Sequence, residues 1–567
     1  MWGAMVLLVA YVLPNHYSPW SSVHQELGAL LALGPIMVWA SFHARWVPLL
    51  TVVAVALSFS PLLQLLNGQL YFSSDGWMAW LYLVGFAIAV SAGACYAADE
   101  KGADAPSFSP LIWLWTAVIL AALVSVNIQL HQWLSLGDRG IYIAELPPAY
   151  RPFGNLAQPN QLATLLLFGL MGVLFLWERQ HLRGKLGLLA ALTLVSGLVM
   201  TGSRSVLLTL VWLLPAYGLM RRRCHLRTTP TAIVCLVGFY ALLSFSWPSI
   251  NNALLLPSDA NTAVERMTAP GIRTVFWRAM ADAIGQAPWL GYGWGQIGSA
   301  QVLTTLSYPP TYSSFDSAHN LFLDMALWAG LPVALGLAVV VLLWFGWQVY
   351  RCRDPSSFAV LAAVGVVFSH AMVEFPLSYA YFLLPVGFWM GCLSAVAPTK
   401  FDVVHPKLPR AILRSLSLGL GSGALALSVG VIAEYFPFEA DWALMRYQHA
   451  RIGNLEVTQP PEAIVLTSLR EFLRFSRTDA KSGMSAQDLE WMRRVSERYP
   501  YAAPMYKYAL AQALNGRTAG YQLTLRRLCS MQTVASCESA KQDWAELTQY
   551  RFPQLAATPF PAVVRLP

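Results

Sequence analysis

Apolar residues along this chain come in long blocks and do not alternate with polar ones. Blocks near residues 2–13, 27–42, 47–66, 77–98, 111–134, 162–177, 186–200, 205–220, 232–248, 331–350, 358–375, 380–397 and 412–434 are separated by short polar segments. A helix needs roughly 20 apolar residues to cross about 30 Å of hydrocarbon. Helices also satisfy their own backbone polar groups in lipid. The pattern therefore predicts an all-α, polytopic membrane bundle of about thirteen transmembrane helices. The first block is short and has no small-residue cleavage site after a charged start, so it is read as a retained helix and not a signal peptide. Two regions depart from the pattern. Residues 249–318 form a long polar loop rich in Pro, Gly and Ser, and loops of that length are usually functional or disordered. Residues 435–567 form a tail with helical periodicity, as in Leu489-Glu490-Trp491-Met492-Arg493-Arg494-Val495. Within it, Ala502 to Leu528 reads as two short helices broken at Asn515-Gly516. The expected organisation is a membrane domain over 1–434, containing the 249–318 loop, and a helical domain over 435–567.

Charge orients the blocks. Alternate loops hold Arg45; Lys101; Arg179, Arg183 and Lys185; Arg221, Arg222, Arg223 and Arg227; Arg351 and Arg353; and Lys400, Lys407, Arg410 and Arg414. The opposite loops hold, before residue 435, only Arg139, Arg151, Arg204, Arg266, Arg273 and Arg278. The positive-inside rule places the amino terminus in the cytoplasm, and thirteen crossings place the tail outside. Composition agrees: 56% of the 567 residues are hydrophobic and 12% charged, about half the charge of a soluble domain. Mean hydropathy is +0.49. A soluble enzyme, a disordered chain, a coiled coil and a cysteine-stapled miniprotein are excluded. The net charge of +8 is scattered over short loops, with no basic helix for nucleic acid. Cys529 and Cys537, eight positions apart, are the only cysteines placed outside. In an oxidising compartment they suit a disulfide; the alternative is two free thiols in a helical hairpin.

The candidate chemistry lies where ionisable and polar residues meet the outer ends of spans, since a charge beside a transmembrane helix is costly and is a functional candidate by default. The alternative for any one Arg is snorkelling to headgroups. Thr201-Gly202-Ser203-Arg204-Ser205 joins two spans with almost no loop. Ser203 is a natural N-cap, and a helix N-terminus beside a guanidinium makes an anion site. Gly154-Asn155-Leu156-Ala157-Gln158-Pro159-Asn160 opens another inward helix in the same way, with Asn160 either a cap or a ligand. In the long loop, Arg273 and Arg278 precede an amphipathic helix expected over Ala279 to Ala287. Several Arg on one face suit a diphosphate, because a guanidinium offers forked donors and stays charged. Asp316-Ser317-Ala318-His319-Asn320 then begins an apolar helix, with Ser317 as a capping residue. The ordinary pKa of His319, about 6.5, suits it to accept a proton near neutrality. His370 and Glu374, spaced i,i+4, share a helix face, but no third ligand for a metal is apparent.

At these residues the chain resembles the bacterial protein O-oligosaccharyltransferases of the PglL/PilO type, within the O-antigen ligase superfamily. Five pieces carry the resemblance: Pro14-Asn15-His16-Tyr17-Ser18-Pro19-Trp20 with Glu26; the Gly154–Thr164 segment; Gly202-Ser203-Arg204; the His319-Asn320 helix; and His370 through Pro376 with Tyr379, Tyr381, Phe382 and Pro385. The resemblance implies a multi-pass protein of the bacterial inner membrane with a periplasmic active site and tail. It implies a donor glycan on undecaprenyl diphosphate, a Ser or Thr acceptor on an exported protein such as a pilin, and no metal or cofactor. It implies that Arg204, with Arg273 or Arg278, binds the diphosphate, joined on the donor side by Asn155, Gln158 and Asn160. His319 acts as general base, and His16, Glu26, Asp316, Asn320, His370 and Glu374 support the site or the acceptor. Two other readings stay open: an O-antigen ligase or polymerase with a lipid A-core or glycan acceptor, and a non-enzymatic transporter. The transporter is disfavoured because its sites would lie near the membrane midplane, whereas the polar motifs here cluster at one face.

Overall fold

The computed structural model describes residues 1–43, 47–100, 110–137, 140–256, 258–259, 261–268, 271–397, 410–453 and 459–562. Among them all regular structure is helical. Helices α1 (Trp2–Val12), α2 (Val23–His43), α3 (Leu49–Leu66), α4 (Ser73–Glu100) and α5 (Pro110–Trp133) take up the first five apolar blocks. The next four blocks become α6 (Pro159–Glu178), α7 (Gly184–Thr201), α8 (Arg204–Met220) and α9 (Pro230–Ala253). The polar connection that follows is built rather than open. It carries α10 (Ala263–Thr268), α11 (Ile272–Gln286) and α12 (Ile297–Thr304), and leads into α13 (Leu321–Ala329). The remaining apolar blocks are α14 (Leu331–Arg351), α15 (Pro355–Ala371), α16 (Ala380–Val396) and α17 (Arg410–His449). The tail consists of α18 (Thr467–Arg477), α19 (Ala486–Arg498), α20 (Ala502–Leu514), α21 (Thr518–Met531) and α22 (Val534–Tyr550).

Every expected block is a helix, and among the described residues nine of them are long and apolar enough to cross a membrane. The other four, α1, α8, α15 and α16, have 11, 17, 17 and 17 residues. At 1.5 Å of rise per residue they reach about 16 to 26 Å, short of the hydrocarbon thickness. The chain is a multi-pass membrane protein. Arg45, Lys101, Arg139, Lys400 and Lys407 of the charge pattern lie outside the described residues.

The chain folds into two compact units. The first comprises Met1–Leu57, Tyr82–Ala269 and Val341–Ala424, and the second Ser58–Leu81, Pro270–Val340 and Leu425–Pro567. Compactness thus groups the tail with residues 58–81 and with most of the polar connection. The division expected at 434/435 falls inside α17, a continuous helix of 40 residues.

In the first unit α6 is the central helix, packed by α5, α7 and α15. Its sequence permits this because it is apolar all round, from Leu162 to Leu176, the mark of a helix buried on every side. Trp389 of α16 stacks on Trp115 at 4.6 Å between centroids and receives Phe168 edge-on at 4.8 Å. Glycine sets the approach of α4 to α16: a Cβ on Gly93 would strike the Phe388 carbonyl, and one on Gly391 the Val90 carbonyl. Such small-residue contacts let membrane helices pack backbone to backbone.

In the second unit the tail helices form a core around Met492, Val495, Tyr521, Leu525 and Trp544, which Phe72 joins from before α4, with Tyr521 stacked on Trp544 at 5.6 Å. Cys529 and Cys537 form a disulfide with their Cα atoms 4.9 Å apart, which joins α21 to α22. The break at Asn515-Gly516 separates α20 from α21, with Gly516 at φ 72°. The tail is also fastened to the rest of its unit. α12 packs on α19, Tyr312 donates its N–H to the Ser530 carbonyl at 3.1 Å, and Arg498 pairs with Asp75 at 2.9 Å.

Candidate active site

In the first unit the predicted residues gather at the turn between α7 and α8. α7 ends on Gly202 at φ 52°, a left-handed conformation that glycine adopts without penalty. A Cβ there would also lie 2.9 Å from the Asn261 carbonyl. Ser203 occupies the N-cap position of α8, but its hydroxyl does not cap the helix. It donates to Asn160 Oδ1 at 2.8 Å and lies 2.8 Å from Ser205 Oγ. Long-range partners have outbid the local cap expected from sequence.

Two arginines that the motif reading passed over stand at this turn. Arg151 Nη1 donates to the carbonyls of Thr201 and Gly202 at 2.9 and 3.3 Å, taking acceptors left unmatched at the end of α7. Arg266 pairs with Asp259, and its own carbonyl accepts from Arg204 Nη1 at 3.2 Å. Burial, and then the like charge of Arg266, pushes Arg151 down to about 10, so it stays protonated at neutral pH. The signal was available in the sequence. Arg151 and Arg266, like Arg204, are positive residues in loops that otherwise avoid positive charge.

The same cluster collects Asn160, Glu374 and His370 from α6 and the end of α15. Asn160 Nδ2 donates to Glu374 Oε1 at 2.9 Å while its Oδ1 accepts from Ser203. His370, 1% exposed, has its Nδ1 2.7 Å from Thr164 Oγ1. Gln158 is the N-cap of α6 and accepts from the Gln161 N–H at 2.7 Å. Among the described residues no three His, Cys, Asp or Glu side chains are grouped to hold a metal ion.

Asn155, His16 and Glu26 bond largely to the fold itself. The Asn155 amide donates to the carbonyls of Val12 and Tyr142 at 2.7 and 2.8 Å and accepts from the Ala144 N–H at 3.0 Å. His16 sets its two ring nitrogens against carbonyls, Nε2 at 2.7 Å from Asn155 O and Nδ1 at 3.1 Å from Ser21 O. Burial lowers its pKa, against the pull of those two bonds. The Glu26 carboxylate, 5% exposed, accepts from Trp20 Nε1, Ser22 Oγ, Tyr82 Oη and the Ala380 N–H. It thereby joins the segment before α2 to α4 and to the start of α16.

The second unit holds the other set. α11 begins seven residues earlier than expected, at Ile272, so Arg273 and Arg278 both lie on it. Five residues at 100° each put them about 140° apart around the helix. Arg273 shares its face with Trp277, one turn on, and Trp277 Nε1 donates to the Ala318 carbonyl at 2.7 Å. Arg278 is exposed. The buried side of α11, Phe276, Ala279, Met280 and Ala283, packs on Ile297, Ala300, Ala318 and Leu327.

His319 follows Ala318 at φ 55°, a left-handed conformation in which His is enriched several-fold among non-glycine residues yet which still costs of the order of 1–3 kcal/mol. Asn320, not Ser317, caps α13, its Oδ1 accepting from the N–H groups of Phe322 and Leu323 at 3.1 and 3.2 Å. Ser317 turns inward to Asp324. His319 Nδ1 lies 3.0 Å from the Ser317 carbonyl. A carbonyl only accepts, so Nδ1 carries the proton and Nε2 holds the lone pair of the neutral ring. Phe315 meets the imidazole edge-on at 5.6 Å. Asp316 is exposed, and its charge acts on the Tyr501 phenol of the tail.

Three family models and two curated relatives match this chain. Residues 152–177 match the protein glycosylation ligase family model, residues 188–338 the O-antigen ligase model, and residues 358–532 a model for the C-terminal part of virulence factor membrane-bound polymerases. The first contains Gln158 and Asn160, and the second Arg204, Arg273 and His319. Two curated relatives come from Acinetobacter baylyi. A general O-oligosaccharyltransferase is 27% identical over 517 residues, covering 89% of this chain and 87% of that protein. A ComP-specific O-oligosaccharyltransferase is 26% identical over 521 residues, covering 89% and 90%.

Proposed function

For a chain that belongs to the PglL-type O-oligosaccharyltransferases, glycosyltransferases of the O-antigen ligase superfamily, we propose the following reaction. A glycan is moved en bloc from undecaprenyl diphosphate to Ser or Thr hydroxyls of an exported protein such as a pilin, at the periplasmic face of the inner membrane. The acceptor hydroxyl oxygen attacks the anomeric carbon of the first sugar, forming a C–O bond with inversion. The bond from that carbon to the phosphate oxygen breaks, and undecaprenyl diphosphate leaves with the electron pair. The hydroxyl proton passes to Nε2 of His319 and then to solvent. The sugar–phosphate bond is already activated, so no nucleotide and no ATP enters the step.

The observation that carries this reading is the His319 turn. A histidine held at positive φ, with its Nδ1 committed to a carbonyl, presents Nε2 as the basic atom. Arginine is suited to the leaving group because its fork matches phosphate oxygens, and stabilising charge that develops on a leaving oxygen is a large part of such catalysis. Arg204 is assigned that role, at the turn it shares with Arg151 and Arg266. Of Arg273 and Arg278, Arg273 is the better choice, since its face of α11 is the one bonded to the residue before His319. Gln158 and Asn160 assist on the donor side. Asn155, His16, Glu26, Asn320, His370 and Glu374 shape the surrounding backbone, and Asp316 stands on the acceptor side.

The test is reconstitution. The purified protein is mixed with an undecaprenyl-diphosphate-linked glycan and a pilin, and the pilin mass is measured. A shift by one glycan supports the reading, and His319→Ala should remove it while donor binding persists. Transfer by a well-folded His319→Ala variant would exclude His319 as the base. Transfer to lipid A-core but to no protein would move the chain to the ligase reading.

A further inference from the structure

The turn that presents His319 is held by a carboxylate to which the proposed reaction gives no role. Asp324 lies in the first turn of α13 and is 3% exposed. A carboxylate there ordinarily serves the free N–H groups of its own helix. Here Asn320 already does that, and Asp324 reaches back across the turn. Its Oδ2 accepts from Ser317 Oγ at 2.7 Å and its Oδ1 from the Ala318 N–H at 2.6 Å. Ser317 Oγ in turn accepts the His319 N–H at 2.9 Å, while the Ser317 carbonyl takes the proton on His319 Nδ1. Both bonds that define His319 therefore end on residue 317, and residue 317 is pinned by Asp324.

We propose that Asp324 is a positioning residue, which through Ser317 holds His319 in the Nδ1-protonated tautomer with Nε2 turned to the acceptor hydroxyl. This rests on the reading of His319 as the base. A buried carboxylate is expensive to keep, and burial pushes that of Asp324 up to about 7 against the pull of Ser317 and Ala318. If the turn needed only filling, an apolar residue would do it at less cost. What a carboxylate adds is an acceptor for two donors at once, which orients the Ser317 hydroxyl so that its lone pair meets the His319 N–H. With Asn at 324, one of the two acceptors becomes a donor. The Ser317 hydroxyl must then rotate, and the grip on residue 317 loosens.

The experiment measures transfer kinetics and ring tautomer in the full-length protein, first establishing that His319→Ala is inactive. If His319→Ala transfers normally, the base assignment fails, and the tautomer measurement still decides whether Asp324 controls the ring. Asp324→Asn and Ser317→Ala are each assayed with an undecaprenyl-diphosphate-linked glycan and a pilin. The expected result is a fall in kcat on the order of 10²-fold with the donor KM within about twofold. Replacing a carboxylate that fixes a catalytic imidazole directly costs about 10⁴-fold, and here one hydroxyl intervenes. In protein labelled with ¹⁵N-histidine, the signals assigned to His319 by their loss in His319→Ala should show Nδ1 protonated in the parent and mixed tautomers in both variants. The double variant should lose no more than the worse single one. Parental kcat in both variants, a loss confined to KM, or an unchanged tautomer in a slow variant would each overturn the proposal. Should Asp324→Asn fail to fold, Ser317→Ala decides alone.

Discussion

Replacing Arg498 by Met should loosen the second unit where α19 packs on its neighbours, and the structure sets the size of the effect. Arg498 Nε lies 3.1 Å from both Asp75 carboxylate oxygens, and its Nη2 2.9 Å from Oδ1. The side chains are 19% and 5% exposed. Burial pulls the Arg498 pKa down, yet the Asp75 charge outweighs it and leaves the guanidinium above its ordinary value. A solvent-exposed pair of this kind would be worth about 0–1 kcal/mol. Taking one partner from a buried pair costs about 3–5 kcal/mol, because the other charge stays buried without compensation. At about 1.4 kcal/mol per factor of ten, local opening of α19 should become about a hundred- to a few-thousand-fold more frequent. Hydrogen exchange of peptides from α12 and α19, followed by mass spectrometry in detergent, reads that directly. Replacing both partners, Asp75→Leu with Arg498→Met, should restore most of the protection, since an apolar pair of similar volume leaves no charge behind. Exchange in Arg498→Met within about threefold of the parent would refute the reasoning, as would a double variant no better than the single. Because α19 packs on α12, in the segment that leads to His319, glycan transfer should fall together with the protection.

Arg204→Lys keeps the charge but loses the fork, so transfer should fall substantially, and Arg273→Ala should be far more damaging than Arg278→Ala; radiolabelled glycan on the pilin measures all three. Asp324 has a folded pKa of about 7 against 3.8 unfolded, so its raised value favours the folded state below about pH 4. That contribution, about 4 kcal/mol, is lost as pH rises toward 7. Thermal unfolding in detergent at pH 4.5 and 7.5 should therefore show a pH-dependent loss that Asp324→Asn removes. Cys529→Ser should cost about 2–3 kcal/mol, as expected for opening a short disulfide loop, seen as faster proteolysis between α21 and α22. A cysteine introduced after residue 435 should react with an impermeant thiol reagent in spheroplasts and one in the Arg221–Arg227 loop should not; the reverse pattern would put His319 on the cytoplasmic side.

The apolar blocks determined by themselves that the chain is helical and crosses the membrane many times. A span is a local property, fixed by how many consecutive residues lipid will accept, and each block from 2–13 to 412–434 is a helix. The tail hairpin broken at Asn515-Gly516 was equally legible, because a glycine at positive φ ends a helix without help from distant residues. Candidate residues were legible as types at membrane boundaries, since a charge placed there is costly wherever it turns out to point. Their partners were not. Ser203 has the look of a cap, yet it bonds Asn160, 43 positions away in the chain. Asn160 joins Glu374 across 214 positions, and Asn155 is engaged by Val12 across 143. Arg151 was legible as a positive residue in a loop that otherwise avoids them, but only folding set it on the carbonyls at the end of α7, and only folding set Asp324 on Ser317 and Ala318. A side chain's hydrogen bond goes to the group that the fold sets within about 3 Å of it. Local spacing can name a donor or an acceptor, whereas tertiary packing decides which one it meets. The division into units has the same origin: the sequence suggests a boundary at 434/435, yet α17 is one continuous helix, and only the contacts made along it assign its two ends to different units.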